Sequence, residues 1–116
     1  LMGPLIDEAS VSNFLHAITD AKKQGGDVLF GGNRIDRPGS FVEPTLIRAQ
    51  NHWDVVQRET FAPILYVMTY TDLEDAITQQ NNVQQGLSSA LFTRSLPIAS
   101  VSSSNCLLPI IKLSLP

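Results

Sequence analysis

The sequence predicts an α/β fold with a parallel β-α-β unit, followed by an irregular tail, and three observations carry that expectation. A long amphipathic helix opens the chain, with Val11, Phe14, Leu15, Ile18 and Ala21 forming one apolar stripe. The run Ile64-Leu65-Tyr66-Val67-Met68 is apolar at both parities, the pattern of a central parallel strand covered on both faces. Thr71-Asp72-Leu73-Glu74 and then Leu87 to Thr93 follow it, adding a capped helix and a second strand within ~33 residues.

Taken in order, the first helix is expected from about Glu8 to Gln24. Asp7 suits its N-cap, Ile6 and Val11 occupy the staple positions, Lys22 and Lys23 complement the C-terminal dipole, and Gly25-Gly26 can supply a left-handed C-cap. Val28-Leu29-Phe30 reads as a short strand stopped by Gly31-Gly32, and the segment to Ser40 is turn-rich. Phe41 to Ile47 is extended, but Pro44 cannot donate to a ladder, which favours an edge or irregular strand. Periodicity fails between Arg48 and Arg58, predicting a loop or a short turn of helix. After the strand from Pro63 to Tyr70, Thr71 as N-cap and Glu74 at N3 predict a capping box. The helix it opens would bury Leu73, Ala76 and Ile77 and end near Asn81-Asn82.

Residues 95–116 differ from all that precedes them. Every one of the 11 acidic residues and all basic residues except Lys112 lie before Ser95, and Pro97, Pro109 and Pro116 break any regular element. Leu107-Leu108-Pro109-Ile110-Ile111 is an apolar run with no evident partner. The expected organisation is therefore a folded region over 1–94 and a divergent, irregular tail over 95–116.

Composition narrows the function. A length of 116 residues allows one small domain or part of a larger one, and 43% hydrophobic with 16% charged residues is globular rather than disordered. A net charge of −3 leaves no basic footprint for nucleic acid. The longest apolar runs fall far short of the ~20 residues needed to span a bilayer, so no membrane partner is expected. Cys106 is the single cysteine, and with only His16 and His52 beside it no zinc spacing exists. A reducing compartment, and with it a cytoplasmic location, is the expectation.

The chemistry concentrates in Glu59-Thr60-Phe61-Ala62-Pro63-Ile64, which sets a carboxylate and an aromatic ring at the mouth of a strand. A carboxylate accepts hydrogen bonds from a pair of hydroxyls, and a ring packs on their apolar flank, so the pair suits a flat polar ligand. From chemistry alone Glu59 reads first as a solvated cap or as the ion-pair partner of Arg58 or a nearby lysine. Phe61, alone at a strand start, reads from the residues alone as core.

Several landmarks occur in one order: Gly3-Pro4-Leu5-Ile6, Gly31-Gly32, Gly39-Ser40-Phe41-Val42-Glu43-Pro44-Thr45-Leu46, Glu59 to Ile64, and Asn81 leading to Gly86 to Thr93. That ordered set resembles the late part of the three-layer catalytic domain of the NAD(P)-dependent aldehyde dehydrogenase superfamily. Ala62, Asp36-Arg37-Pro38-Gly39 and Pro63 to Val67 are similar to its antiquitin branch, the α-aminoadipic semialdehyde dehydrogenases. The resemblance runs from Leu1 to about Arg94. It implies an enzyme oxidising an aldehyde, a semialdehyde of lysine catabolism, to a carboxylate through a thiohemiacetal and a thioester.

By the same resemblance Glu59 hydrogen-bonds the hydroxyls of the nicotinamide ribose, and Phe61 packs beside that ribose and the nicotinamide. The nucleophilic cysteine, the general base and most of the NAD or NADP site belong upstream of Leu1 in the family. The chain is thus expected to be a catalytically inactive piece of a homo-oligomeric enzyme, with no catalytic and no metal-ligating residue of its own. The rival expectation is a truncated remnant or a segment that acts only by association. Cys106 lies in the unmatched tail with no neighbouring histidine or lysine to lower its pKa, so it is not the family's nucleophile. His16 falls opposite the apolar stripe and reads as solvated, and His52 as surface loop. Asp72, Glu74 and Asp75 suit a helix start without any acid/base role.

Overall fold

Asp7 starts the first helix as expected: its carboxylate accepts from the Ser10 N–H at 2.7 Å, satisfying an orphan donor of the first turn. The helix, α1, runs Glu8–Lys23. Gly26 N–H donates to Ala21 O (2.7 Å) and Gly25 N–H to Lys22 O (3.1 Å), the paired bonds of a Schellman cap, with Gly25 at φ +97°. The computed structural model describes residues 2–84, 89–92 and 110–113. They fall into two units, 1–68 and 69–116.

In the first unit α1 lies against a three-stranded sheet in the order β1 (Asp27–Phe30), β2 (Thr45–Arg48), β3 (Ile64–Val67). β1 pairs antiparallel to β2, with a register shift between Val28 and Phe30; β2 pairs parallel to β3, Thr45 opposite Ile64 and Arg48 opposite Val67. A four-residue helix, α2 (Asp54–Gln57), lies on the connection between them. The core is Val11, Phe14, Ala17, Ile18, Ala21, Val42, Ile47 and Val55, with Leu5, Trp53, Ile64 and Tyr66 packed against it.

Several expectations are corrected here. Leu15 is exposed and Ala17 takes its place in the buried stripe, because at 3.6 residues per turn Leu15 falls about 100° from the centre of that arc. The staple does not form: Ile6 is 92% exposed, while Leu5 packs inward and its N–H donates to Ser40 O. Pro44 sits just outside β2, so the ladder loses no donor and β2 becomes the central strand rather than an edge. β3 stands at the sheet's edge among the described residues, with Leu65 64% exposed beside the exposed Phe30. Apolar side chains at both parities report which faces need cover, not which strand is central.

The second unit contains α3 (Leu73–Asn81) and the parallel pair β4 (Ser89–Phe92) and β5 (Ile110–Leu113). The cap of α3 is displaced by one residue from the predicted box. Asp72 is the N-cap and accepts from Asp75 N–H, while Asp75 reaches back to accept from Thr71 N–H and its hydroxyl. Two carboxylates thus perform the exchange expected of Thr71 and Glu74, and no residue of α3 is fully buried. The order strand, capped helix, strand holds, but among the described residues β3 pairs with β2 and β4 with β5, so the hydrogen-bonded parallel β-α-β unit is β2-α2-β3. The expected irregular tail is corrected at residues 110–113. Their partner is Ser89–Phe92, remote in sequence, and four residues are too few to show a strand period. The rest of the tail, Cys106 included, lies outside the described residues.

Candidate functional site

Glu59 and Phe61 lie on the stretch that leaves α2 for β3. Arg58 ends α2 as its C-cap with φ −91° and ψ +134°, and the chain stays outside regular structure until Ile64, with a bond from Ala62 N–H to Thr60 O. One wall of a groove of about 570 Å³ is this stretch, Arg58, Glu59, Thr60 and Phe61. The facing wall is the polar flank of α1, where Ser10, Asn13, His16 and Asp20 recur at helical spacing. A volume of that size falls in the usual range for a small ligand.

The electrostatics separate two neighbours of opposite charge. Arg58 Nη2 donates to Asp20 Oδ2 at 3.0 Å, a contact across 38 residues of sequence. Arg58 is therefore engaged with α1 rather than with Glu59. The bond from Arg58 is the first cause that holds the Asp20 carboxyl below its usual pKa, with Lys23 at 3.7 Å adding to it. Glu59 is exposed, and no hydrogen bond or ion pair ties it to another described residue. Phe61 is 83% exposed, so the core reading of that ring is corrected: it stands free at the groove.

What the groove presents is an uncommitted carboxylate, an exposed ring, and the hydroxyl and amide of Ser10 and Asn13. Such a set accepts and donates hydrogen bonds to a flat polyhydroxylated ligand and covers its apolar face. Ser10 and Asn13 are absent from the sequence reading, although they sit at i and i+3 beside the apolar stripe. That spacing is the signal that could have found them. His16, read as solvated, is exposed but lines the groove; His52 stands edge-on to Trp53, 6.5 Å between ring centroids, away from it. Among the described residues no three His, Cys, Asp or Glu side chains gather as a metal site. Asp72, Glu74 and Asp75 are explained by the α3 N-terminus.

The aldehyde dehydrogenase family model matches residues 1–104. The chain belongs to the aldehyde dehydrogenase family. Among its relatives is the α-aminoadipic semialdehyde dehydrogenase of Mus musculus, 48% identical over 97 residues, a match covering 83% of this chain and 18% of the mouse protein. The aldehyde dehydrogenase family 7 member A1 of Pisum sativum is 46% identical over 94 residues, covering 81% and 18%. Among solved structures, lactaldehyde dehydrogenase from Escherichia coli superposes with a TM-score of 0.89 at 28% identity, over 97% of this chain and 24% of that one. A betaine aldehyde dehydrogenase double mutant from Staphylococcus aureus, in complex with NAD+, gives a TM-score of 0.88 at 28% identity over 96% and 23%. The chain spans about a fifth of the length of the curated relatives it matches. Among the described residues no helix is long and apolar enough to cross a membrane.

Proposed function

We propose that this chain is the nicotinamide-ribose-gripping part of an NAD(P)-dependent aldehyde dehydrogenase, one that oxidises a semialdehyde of lysine catabolism to the carboxylate. Glu59 accepts hydrogen bonds from the two ribose hydroxyls and Phe61 packs beside the ribose and the nicotinamide. The observation that carries this reading is the pairing of Arg58 with Asp20, which leaves the Glu59 carboxylate free in a groove of ligand size. The mouse relative's name supports the substrate class, and the NAD+ complex of the betaine enzyme supports the cofactor.

When bound, the nicotinamide accepts a hydride from the substrate. The residues of this chain contribute orientation alone, since a carboxylate holding two hydroxyls fixes a ring without reacting. The nucleophile, the general base and most of the coenzyme site come from polypeptide beyond these residues, in a cytoplasmic homo-oligomer. Without them the 116-residue chain forms no NADH from an aldehyde, and any measurable turnover by it would overturn this part of the reading.

The test of the grip is Glu59→Gln in the longer enzyme that contains this segment. Charge-assisted hydrogen bonds are worth about 1.5–3 kcal/mol each. Turnover should therefore fall roughly ten- to a hundredfold, and an unchanged rate with unchanged coenzyme affinity would refute the assignment. A second reading, a segment that works only by associating with other polypeptide, draws on the exposed outer face of the sheet, where Phe30, Leu65 and Val67 stand in solvent.

A further inference from the structure

The ribose grip needs Glu59 and Phe61 to stand at a fixed distance from α1, yet the stretch that carries them belongs to no helix or strand. Its backbone is tied at one end by Arg58 N–H to Asp54 O (3.0 Å) and at the other by Ile64 N–H to Ala62 O (2.8 Å). Neither bond reaches the facing wall. Among the described residues the hydrogen bond that joins the two walls of the groove is Arg58 Nη2 to Asp20 Oδ2.

We propose that the Asp20–Arg58 ion pair is a positioning element that sets Glu59 and Phe61 against α1; the proposal rests on the cofactor reading above. The pair acts in two ways. It clamps the 58–61 stretch to the polar flank of α1, and it occupies the guanidinium next in sequence to Glu59, which would otherwise compete with the ligand's hydroxyls for that carboxylate. Tyr66 packs on the core nearby, its hydroxyl buried without a hydrogen bond and within electrostatic reach of both Arg58 and Asp20.

Removing either partner should weaken ligand uptake unequally. Arg58→Gln loses the clamp alone, while Asp20→Ala loses it and also releases a cation beside Glu59. Because both side chains are partly exposed, at 56% and 36%, the clamp itself is worth a two- to fivefold change at about the scale of a surface pair. Asp20→Ala should exceed that.

The experiment uses the 116-residue chain labelled with nitrogen-15. Heteronuclear NOEs report the order of the Glu59, Thr60 and Phe61 amides, and titration with nicotinamide mononucleotide reports binding. In Arg58→Gln and Asp20→Ala the 59–61 amides should lose order while those of β2 keep theirs and the melting temperature falls only slightly, as the loss of one surface pair predicts. The mononucleotide dissociation constant should rise in the order Arg58→Gln, then Asp20→Ala, and recover in the reversed pair Asp20→Arg/Arg58→Asp. Unchanged order in both single variants overturns the proposal, as does a loss of order spread equally through β2, which would mean general destabilisation. Uptake that Glu59→Gln abolishes and both ion-pair variants leave alone overturns this proposal only. Order lost at 59–61 with no uptake by the unmodified chain supports the clamp, and the cofactor reading is then decided separately by Glu59→Gln in the longer enzyme.

Discussion

Gly31→Ala should destabilise the first unit far more than Gly25→Ala, and the difference measures one close approach. Both glycines have positive φ, +71° and +97°, so both charge an alanine about 1–2 kcal/mol for left-handed backbone. At Gly25 an added Cβ would meet only the edge of Trp53 at 3.8 Å, an ordinary contact. At Gly31 it would lie 2.2 Å from Pro44 O and 3.1 Å from Thr45 Oγ1. The backbone entering β2 would have to move by more than 1 Å to restore the ~3.5 Å of a normal contact. That shift pulls on Thr45, the buried residue whose hydroxyl accepts from Gly32 N–H and donates to Glu43 O, both at 2.9 Å. Overpacking of this kind costs about 1–3 kcal/mol beyond the backbone term. Urea unfolding followed by Trp53, the single tryptophan, reports on this unit directly. With a slope of about 1–3 kcal/mol per molar, the Gly31→Ala midpoint should fall below that of Gly25→Ala by on the order of 1 M. Equal midpoints would refute the steric argument and leave only the backbone cost.

Phe14→Ala removes a ring with no exposed surface from the centre of the core and should cost about 3–5 kcal/mol in the same assay; a cost under 1 kcal/mol would mean the core is not closed there. Asp72→Ala should fray α3 by about 1 kcal/mol, seen as faster amide exchange in its first turn, whereas Glu74→Ala should have little effect; the reverse ranking would restore the cap to Thr71 and Glu74. Acid should destabilise the chain through four carboxyls held below their usual values: Glu8, chiefly by Arg34; Asp7, by the Ser10 N–H; Asp20, by Arg58; and Asp75, by Gln79. Depressed folded values mean that this stability is intact above the ordinary values of 4.5 for Glu8 and 3.8 for the aspartates, and is lost as pH falls from there through the folded ones. Glu8→Gln should flatten the acid slope; a slope equal to that of the unmodified chain would show that the Arg34 bond does not survive in solution.

Local rules read α1 nearly to the residue, because its N-cap, its stripe and its Gly25-Gly26 stop are all written within one helix length. The errors arose where the deciding partner is distant. Pro44 has the local signature of an edge strand, but the ladder starts one residue later, and Ile110–Leu113 has no local partner because Ser89–Phe92 lies outside any local window. The α3 cap slipped by one because threonine and aspartate both cap well and adjacent candidates differ only in which carboxylate reaches back. At the site, Glu59 and Phe61 were legible as residue types, and the groove containing both was not. Its second wall comes from a helix almost 40 residues earlier, so sequence proximity joins Glu59 to Arg58 whereas the fold joins Arg58 to Asp20.

That exchange of partners bears on what Glu59 can do. A glutamate beside an arginine in sequence is most simply a surface ion pair, and such a pair would leave nothing for a ligand. Once Asp20 takes the guanidinium, Glu59 carries a full set of unused acceptors into a groove that it shares with the Phe61 ring, Ser10, Asn13, His16, Thr60 and the Asp20–Arg58 pair. An exposed carboxylate binds neutral hydroxyls weakly in water, since water competes for every hydrogen bond. Strong grip requires the groove to be roofed and dried. The chain spans about a fifth of the length of its relatives, and in the proposed reading the rest of the enzyme supplies that cover. In the proposed reading, affinity for the cofactor therefore belongs to the assembled enzyme, and this chain supplies its geometry.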